Sequence, residues 1–186
     1  MAEAAVRADP ELPFEAEITE RCQEADDIVT FYLRPTDPAV AERYRFLPGQ
    51  FNMLYLFGVG EVPISIVSDP AHPHELGHTI RAAGRATTPL IGLQTGDRLG
   101  VRGPFGQGWP LETAEGRDVL VVTGGLGCAP VVSVINYILA RRERYGRLFI
   151  LQGVKHANDL IWREQYRQWD GLEGGEGGGE GGKGGG

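Results

Sequence analysis

The stretch Asp118-Val119-Leu120-Val121-Val122-Thr123-Gly124-Gly125-Leu126-Gly127-Cys128-Ala129-Pro130 decides how the chain is read. Its opening is a continuous apolar run, the pattern of a parallel strand buried on both faces. The glycines that follow lack a Cβ, so their backbone can approach a ligand closely. Pro130 suits a first helical turn, where its missing N–H would be unpaired anyway. Val131, Val134, Ile135, Ile138 and Leu139 then share one helical stripe. Such a helix start offers unpaired N–H groups and the positive end of its dipole to a pyrophosphate. Two readings stand here: a tight strand-to-helix turn without a ligand, or a phosphate cradle built by Gly124, Gly125, Gly127, Cys128 and Pro130. The strand–turn–helix context favours the cradle.

Downstream, Arg141, Arg142 and Arg144 suit the negative end of that helix, and Gly146 is expected to stop it. Leu148-Phe149-Ile150-Leu151 reads as a second buried strand, and Asn158 or Asp159 as the cap of a final helix through Trp169. Trp162, Tyr166 and Trp169 have helical spacing and read as core packing rather than a stacking platform. The grammar is that of an opening doubly wound α/β domain over residues 117–170. Two strands cannot complete it: either the domain is cut short, the favoured reading, or the missing strands come from elsewhere. Eleven of the 28 glycines fall in Gly171–Gly186, a segment expected to be flexible coil.

Upstream the pattern differs. Phe14–Ile18, Ile28–Leu33, Gln50–Phe57, Val62–Val67, His78–Ala83 and Asp97–Arg102 read as short strands punctuated by glycine and proline. They predict a small antiparallel Greek-key barrel over residues 13–112, after a flexible segment 1–12. A short helix is expected between Thr88 and Leu93, and Glu42, Arg43 and Arg45 read as a solvated face.

The net charge of −7 argues against nucleic-acid binding. No apolar run approaches the ~18 residues that span a bilayer, and the first 20 residues lack a signal-peptide core. A cytoplasmic protein is expected. Cys22 and Cys128 are too few for an iron–sulfur cluster. Cys128 reads as a small apolar residue at a crowded turn, with a place beside a nicotinamide as the alternative. His72, His74 and His78 form an HxHxxxH pattern, but no carboxylate pair stands ready to complete a metal site. No catalytic side chain and no metal ligand are assigned.

Barrel first and glycine-turn domain second is the order of the ferredoxin–NADP reductase-like flavoproteins, and five ordered words carry the resemblance. Pro48-Gly49-Gln50-Phe51 resembles the family's PGQF. Val62-Pro63-Ile64-Ser65 stands where the family has its Arg-x-Tyr-Ser flavin motif. Gly84-Arg85-Ala86-Thr87 resembles the segment that holds the flavin pyrophosphate. Gly96-Asp97 with Gly103-Pro104-Phe105-Gly106 resembles the words at the barrel's end, and Gly124–Pro130 the nucleotide loop.

The Pro-Ile-Ser wording is similar to electron-transfer subunits of multi-subunit redox enzymes. These are the gamma subunit of cytosolic nickel–iron hydrogenase, the B chain of anaerobic sulfite reductase and the electron-transfer subunit of dihydroorotate dehydrogenase; the first fits best. The resemblance implies FAD as cofactor, NAD(P)H as substrate, and iron–sulfur and catalytic subunits as partners. It also implies a [2Fe-2S] cluster whose cysteines have no counterpart here. By the same resemblance Ile64 and Ser65 face the flavin ring, and Gly84 and Thr87 hold its pyrophosphate. Val62 replaces the family's phosphate-pairing arginine, leaving Arg81 or Arg85 to substitute. Lys155 is a weak pointer towards NADP. A flavin-binding or assembly subunit without activity of its own is the alternative.

Overall fold

The computed structural model describes residues 12–156 and 160–173. The expected coil of residues 1–11, the candidate caps Asn158 and Asp159, and the glycine tail from residue 174 onward lie outside the described residues.

Strands β1 (Phe14–Ala25) and β2 (Ile28–Pro35) form a hairpin across Asp26-Asp27. Helix α1 (Pro38–Arg43), strands β3 (Phe51–Leu56), β4 (Gly60–Ser65) and β5 (Leu76–Arg81), helix α2 (Thr87–Leu90) and strand β6 (Arg98–Phe105) follow. The six strands pair antiparallel in the order β4-β3-β6-β1-β2-β5. The two edge strands meet through a bridge between Ile66 and His78, which closes the sheet on itself. Alternation turns Ile18, Phe31, Leu33, Leu54, Ile80 and Val101 inward, all fully buried. Leu90 of α2 plugs the same core.

Helix α1 was not legible as apolar periodicity. Its signal is a cap: Asp37 Oδ1 accepts from the Ala39 N–H at 2.8 Å, with Pro38 in the first turn.

Beyond the barrel, β7 (Val119–Gly124) and β8 (Leu148–Gly153) pair parallel, with α3 (Ala129–Leu139) between them in sequence. Val132, Ile135 and Ile138 of α3 pack with Val121 and Leu148. Three expectations need correction here. The strands are buried on one face alone: Leu120, Val122, Phe149 and Leu151 are 45–67% exposed, because among the described residues no layer covers that side. Helix α3 ends at Leu139 rather than near Gly146; Arg142–Arg144 form a separate 3₁₀ turn, and Arg144 pairs with Glu115. Helix α4 (Arg163–Glu173) continues past Gly171, since one glycine lowers helix propensity by about 1 kcal/mol without forbidding the helix. As expected, Trp169 is buried in the core and meets Tyr166 edge-on at 5.0 Å.

Candidate functional site

The glycine turn leaves β7 at its C-terminal end, the end of a parallel sheet at which ligands bind. Gly124 closes the strand, and Gly125–Cys128 form a 3₁₀ turn that runs straight into α3. Gly125 has φ +52°, a conformation that side chains disfavour. A Cβ added at Gly124, Gly125 or Gly127 would meet no described atom beyond its chain neighbours within 4 Å, so the surface beside all three is open. Pro130 sits in the first turn of α3, as a helix start requires.

Two neighbours of this turn carry no motif in the sequence. Thr123 and Gln152 face each other across β7 and β8, one residue before the strand ends. Gln152 donates to the Gly125 carbonyl at 3.1 Å, which steadies the turn. Thr123 Oγ1 and Gln152 Oε1 are nevertheless buried without a hydrogen-bond partner among the described residues. Unpaired buried oxygens are costly, and a ligand at the turn is one way to satisfy them. The only sequence signal was their place at the ends of the two apolar runs.

Cys128 is 1% exposed and packs with Ile28 and Ile161. Burial pushes its thiol up to about 11, so it is a protonated packing group at neutral pH and not a thiolate nucleophile. Ile28 is the register partner of Arg81, so this cluster brings the glycine turn against the barrel end that carries the second set of candidates.

On the barrel, Val62 and Ile64 pack against the core, and Ile64 stands opposite the fully buried Asn52. Ser65 is the next residue on the strand and therefore turns to the other face, opposite Phe51. The structure thus separates the two expected ring contacts: Ile64 lines the core side and Ser65 the outer side. Arg81 is committed to Asp27, 2.8 Å away, with both side chains about half exposed. Arg85 is exposed and has no ion pair among the described residues. Thr87 Oγ1 accepts from the Ala83 and Gly84 N–H groups, each at 3.0 Å, which draws the loop around its hydroxyl. The first helical bond of α2 is Thr88 N–H to Gly84 O, so the preceding N–H groups lie ahead of the helical ladder. Lys155 is exposed just past β8.

The histidine pattern does not converge. His74 reaches the Ala41 carbonyl at the surface, whereas His78 is fully buried in the barrel. Among the described residues no three His, Cys, Asp or Glu side chains are grouped to hold a metal ion. No helix among them is long and apolar enough to cross a membrane.

No protein-family model matches the chain. It is 42% identical over 135 residues to the sulfhydrogenase 1 gamma subunit of Pyrococcus furiosus, covering 73% of this chain and 46% of that subunit. It is 32% identical over 156 residues to a probable dihydroorotate dehydrogenase B (NAD(+)) electron transfer subunit of Methanocella arvoryzae, covering 83% and 54%. The chain spans about half the length of the curated relatives it matches. The Amycolatopsis cytochrome P450 reductase GcoB superposes with a TM-score of 0.74 at 25% identity, covering 87% of this chain and 49% of that one. The six-stranded barrel followed by a glycine-turn α/β unit thus belongs to a chain whose homologues are sulfhydrogenase gamma subunits and dihydroorotate dehydrogenase electron-transfer subunits, and whose structural neighbours are ferredoxin–NADP reductase-like flavoproteins.

Proposed function

We propose that this chain is an electron-transfer module that binds FAD on its barrel and NAD(P)H at the Gly124–Pro130 turn, serving a hydrogenase-like complex with iron–sulfur and catalytic partner subunits. The observation that carries the reading is the open backbone surface at the glycine turn. Three glycines there leave Cβ space open, and two buried oxygens near the turn lack partners among the described residues. The residues present fit a dinucleotide. Backbone N–H groups at the start of α3 suit its phosphates, and Thr123 and Gln152 offer a hydroxyl donor and an amide acceptor. On the barrel, Ser65 would meet the flavin ring. The Gly84–Thr87 loop, with the exposed Arg85 as its cation, would hold the flavin phosphates. Ile64 supports this site from the core side. Arg81 supports it through Asp27, which fixes the strand before the loop.

Bound flavin supplies the conversion between a two-electron hydride and single electrons for an iron–sulfur acceptor. The protein's own part is placement, and its neutral Cys128 takes no covalent role. Dihydroorotate-type electron transfer is the other enzymatic reading that similarity supports.

A second reading, a flavin-binding or assembly subunit without dehydrogenase activity, is favoured by one feature. The apolar face of Leu120, Val122, Phe149 and Leu151 is uncovered among the described residues. Visible absorbance of the purified chain, with the released chromophore identified, tests the flavin reading; a colourless chain that takes up no added FAD overturns it. An NADH–dye reductase assay then separates the two readings, since the assembly subunit gives no turnover with FAD bound.

A further inference from the structure

Three side chains far apart in sequence form one hydrogen-bonded line inside the barrel. The Tyr44 hydroxyl donates to Asn52 Oδ1 at 2.5 Å. Asn52 Nδ2 lies 3.3 Å from His78 Nε2, and His78 Nδ1 lies 3.1 Å from the Ser65 carbonyl. Asn52 and His78 are fully buried, and Tyr44 nearly so. The direction follows from the end groups. A carbonyl only accepts, so Nδ1 carries the proton; Nε2 is then a lone pair and accepts from the Asn52 amide.

The line ends at the barrel's closing seam. Ser65 ends β4, and the peptide after it bonds in both directions: Ile66 N–H to the Gln50 carbonyl at 3.0 Å, and Val67 N–H to the Gly77 carbonyl at 2.8 Å. Ile66 and His78 also form the bridge that joins β4 to β5. The imidazole therefore adds a side-chain donor to the Ser65 carbonyl where the bridge joins the two strands. Gly103 keeps room for the line: at φ +143°, a Cβ there would stand 2.4 Å from Asn52 Oδ1.

We propose that His78 is a positioning residue for the flavin, acting through the Ser65 peptide that its neutral ring fixes at the barrel seam. This rests on the flavin reading above. The line constrains the backbone from within, so Ser65 presents its side chain to the outer face at one fixed orientation.

Two variants separate positioning from mere stability. Asn places a donor near the position of Nδ1 and keeps the bond to Ser65 while losing Asn52; Leu loses both. Both H78N and H78L are expected to lower the melting temperature of the flavin-free chain. Only H78L is expected to weaken FAD binding, by about tenfold, and to shift the flavin's visible bands. H78N should hold affinity and bands near those of the unaltered chain. Equal weakening in both variants, in step with their melting temperatures, would overturn the proposal. If H78L does not fold, side-chain 15N NMR of the unaltered chain decides: the expected signature at pH 7 is a neutral ring protonated on Nδ1, and an Nε2–H ring or a cation overturns the proposal. An unaltered chain that binds no FAD, yet shows that ring signature, overturns the flavin reading itself, and the positioning role with it.

Discussion

Gly49 donates its backbone N–H to Ser133 Oγ at 3.2 Å, tying the entry of β3 to the fully buried face of α3 across 84 residues of sequence. Gly49 is also held at φ +93° beneath the Trp109 indole, where an added Cβ would come within 2.2 Å of the ring. The barrel and the α/β unit therefore meet at a defined hydrogen bond, with Val67 packed into the second core beside it.

Ser133→Ala removes that acceptor and leaves the Gly49 N–H without it. The expected cost is about 1 kcal/mol, read as a lower urea midpoint. An unchanged midpoint would mean that the junction is held by apolar packing alone.

The loop drawn around Thr87 is the next target. Thr87→Val keeps the shape and loses the hydroxyl that accepts from Ala83 and Gly84. FAD affinity, followed by quenching of flavin fluorescence, should fall by about tenfold. Unchanged affinity would remove Thr87 from the flavin site.

Gly127→Ala adds a methyl group into space that no protein atom occupies within 4 Å. Stability should stay within about 0.5 kcal/mol of the unaltered chain. NAD(P)H binding, followed by nicotinamide fluorescence, should weaken if a phosphate approaches the backbone there. Binding as tight as before would argue that the turn serves the fold and not a ligand.

His78 makes stability depend on pH. In the unfolded chain the ring takes a proton below about 6.5, whereas burial holds it neutral in the folded chain down to about 4. Between those values the unfolded chain binds more protons, so stability falls as pH drops through that window. The full loss is on the order of 3 kcal/mol. Urea midpoints from pH 7 to pH 4.5 should therefore decline more steeply for the unaltered chain than for His78→Asn. Parallel declines would assign the acid sensitivity to other groups.

The two faces of the parallel sheet should respond in opposite ways. Leu148 is 6% exposed, and Leu148→Ala should cost about 2–5 kcal/mol. Val122 is 67% exposed, and Val122→Thr should change stability by less than about 0.5 kcal/mol. A large loss from Val122→Thr in chemical denaturation would show that the chain covers this face in solution.

Much of the architecture was legible in local pattern. Alternating residues from Phe14 to Arg102 and the continuous apolar run from Val119 to Val122 separate barrel strands from parallel ones, although the run implied burial on two faces where the described residues cover one. Glycines at 124, 125 and 127 marked the turn because backbone conformation is a property of single residues. The sequence by itself therefore determined the order of barrel and α/β unit and the place of the glycine turn between β7 and α3. Only the tertiary structure decided what those elements touch. Asn52 and His78 are 26 residues apart, and His78 and Ser65 are 13. These groups meet because the barrel closes there, and no spacing rule encodes that meeting. The unpartnered oxygens of Thr123 and Gln152, and the bare face of Leu120, Val122, Phe149 and Leu151, have the same origin. Burial is set by which layers pack on a strand, and two strands with identical patterns differ once a layer covers one face and not the other.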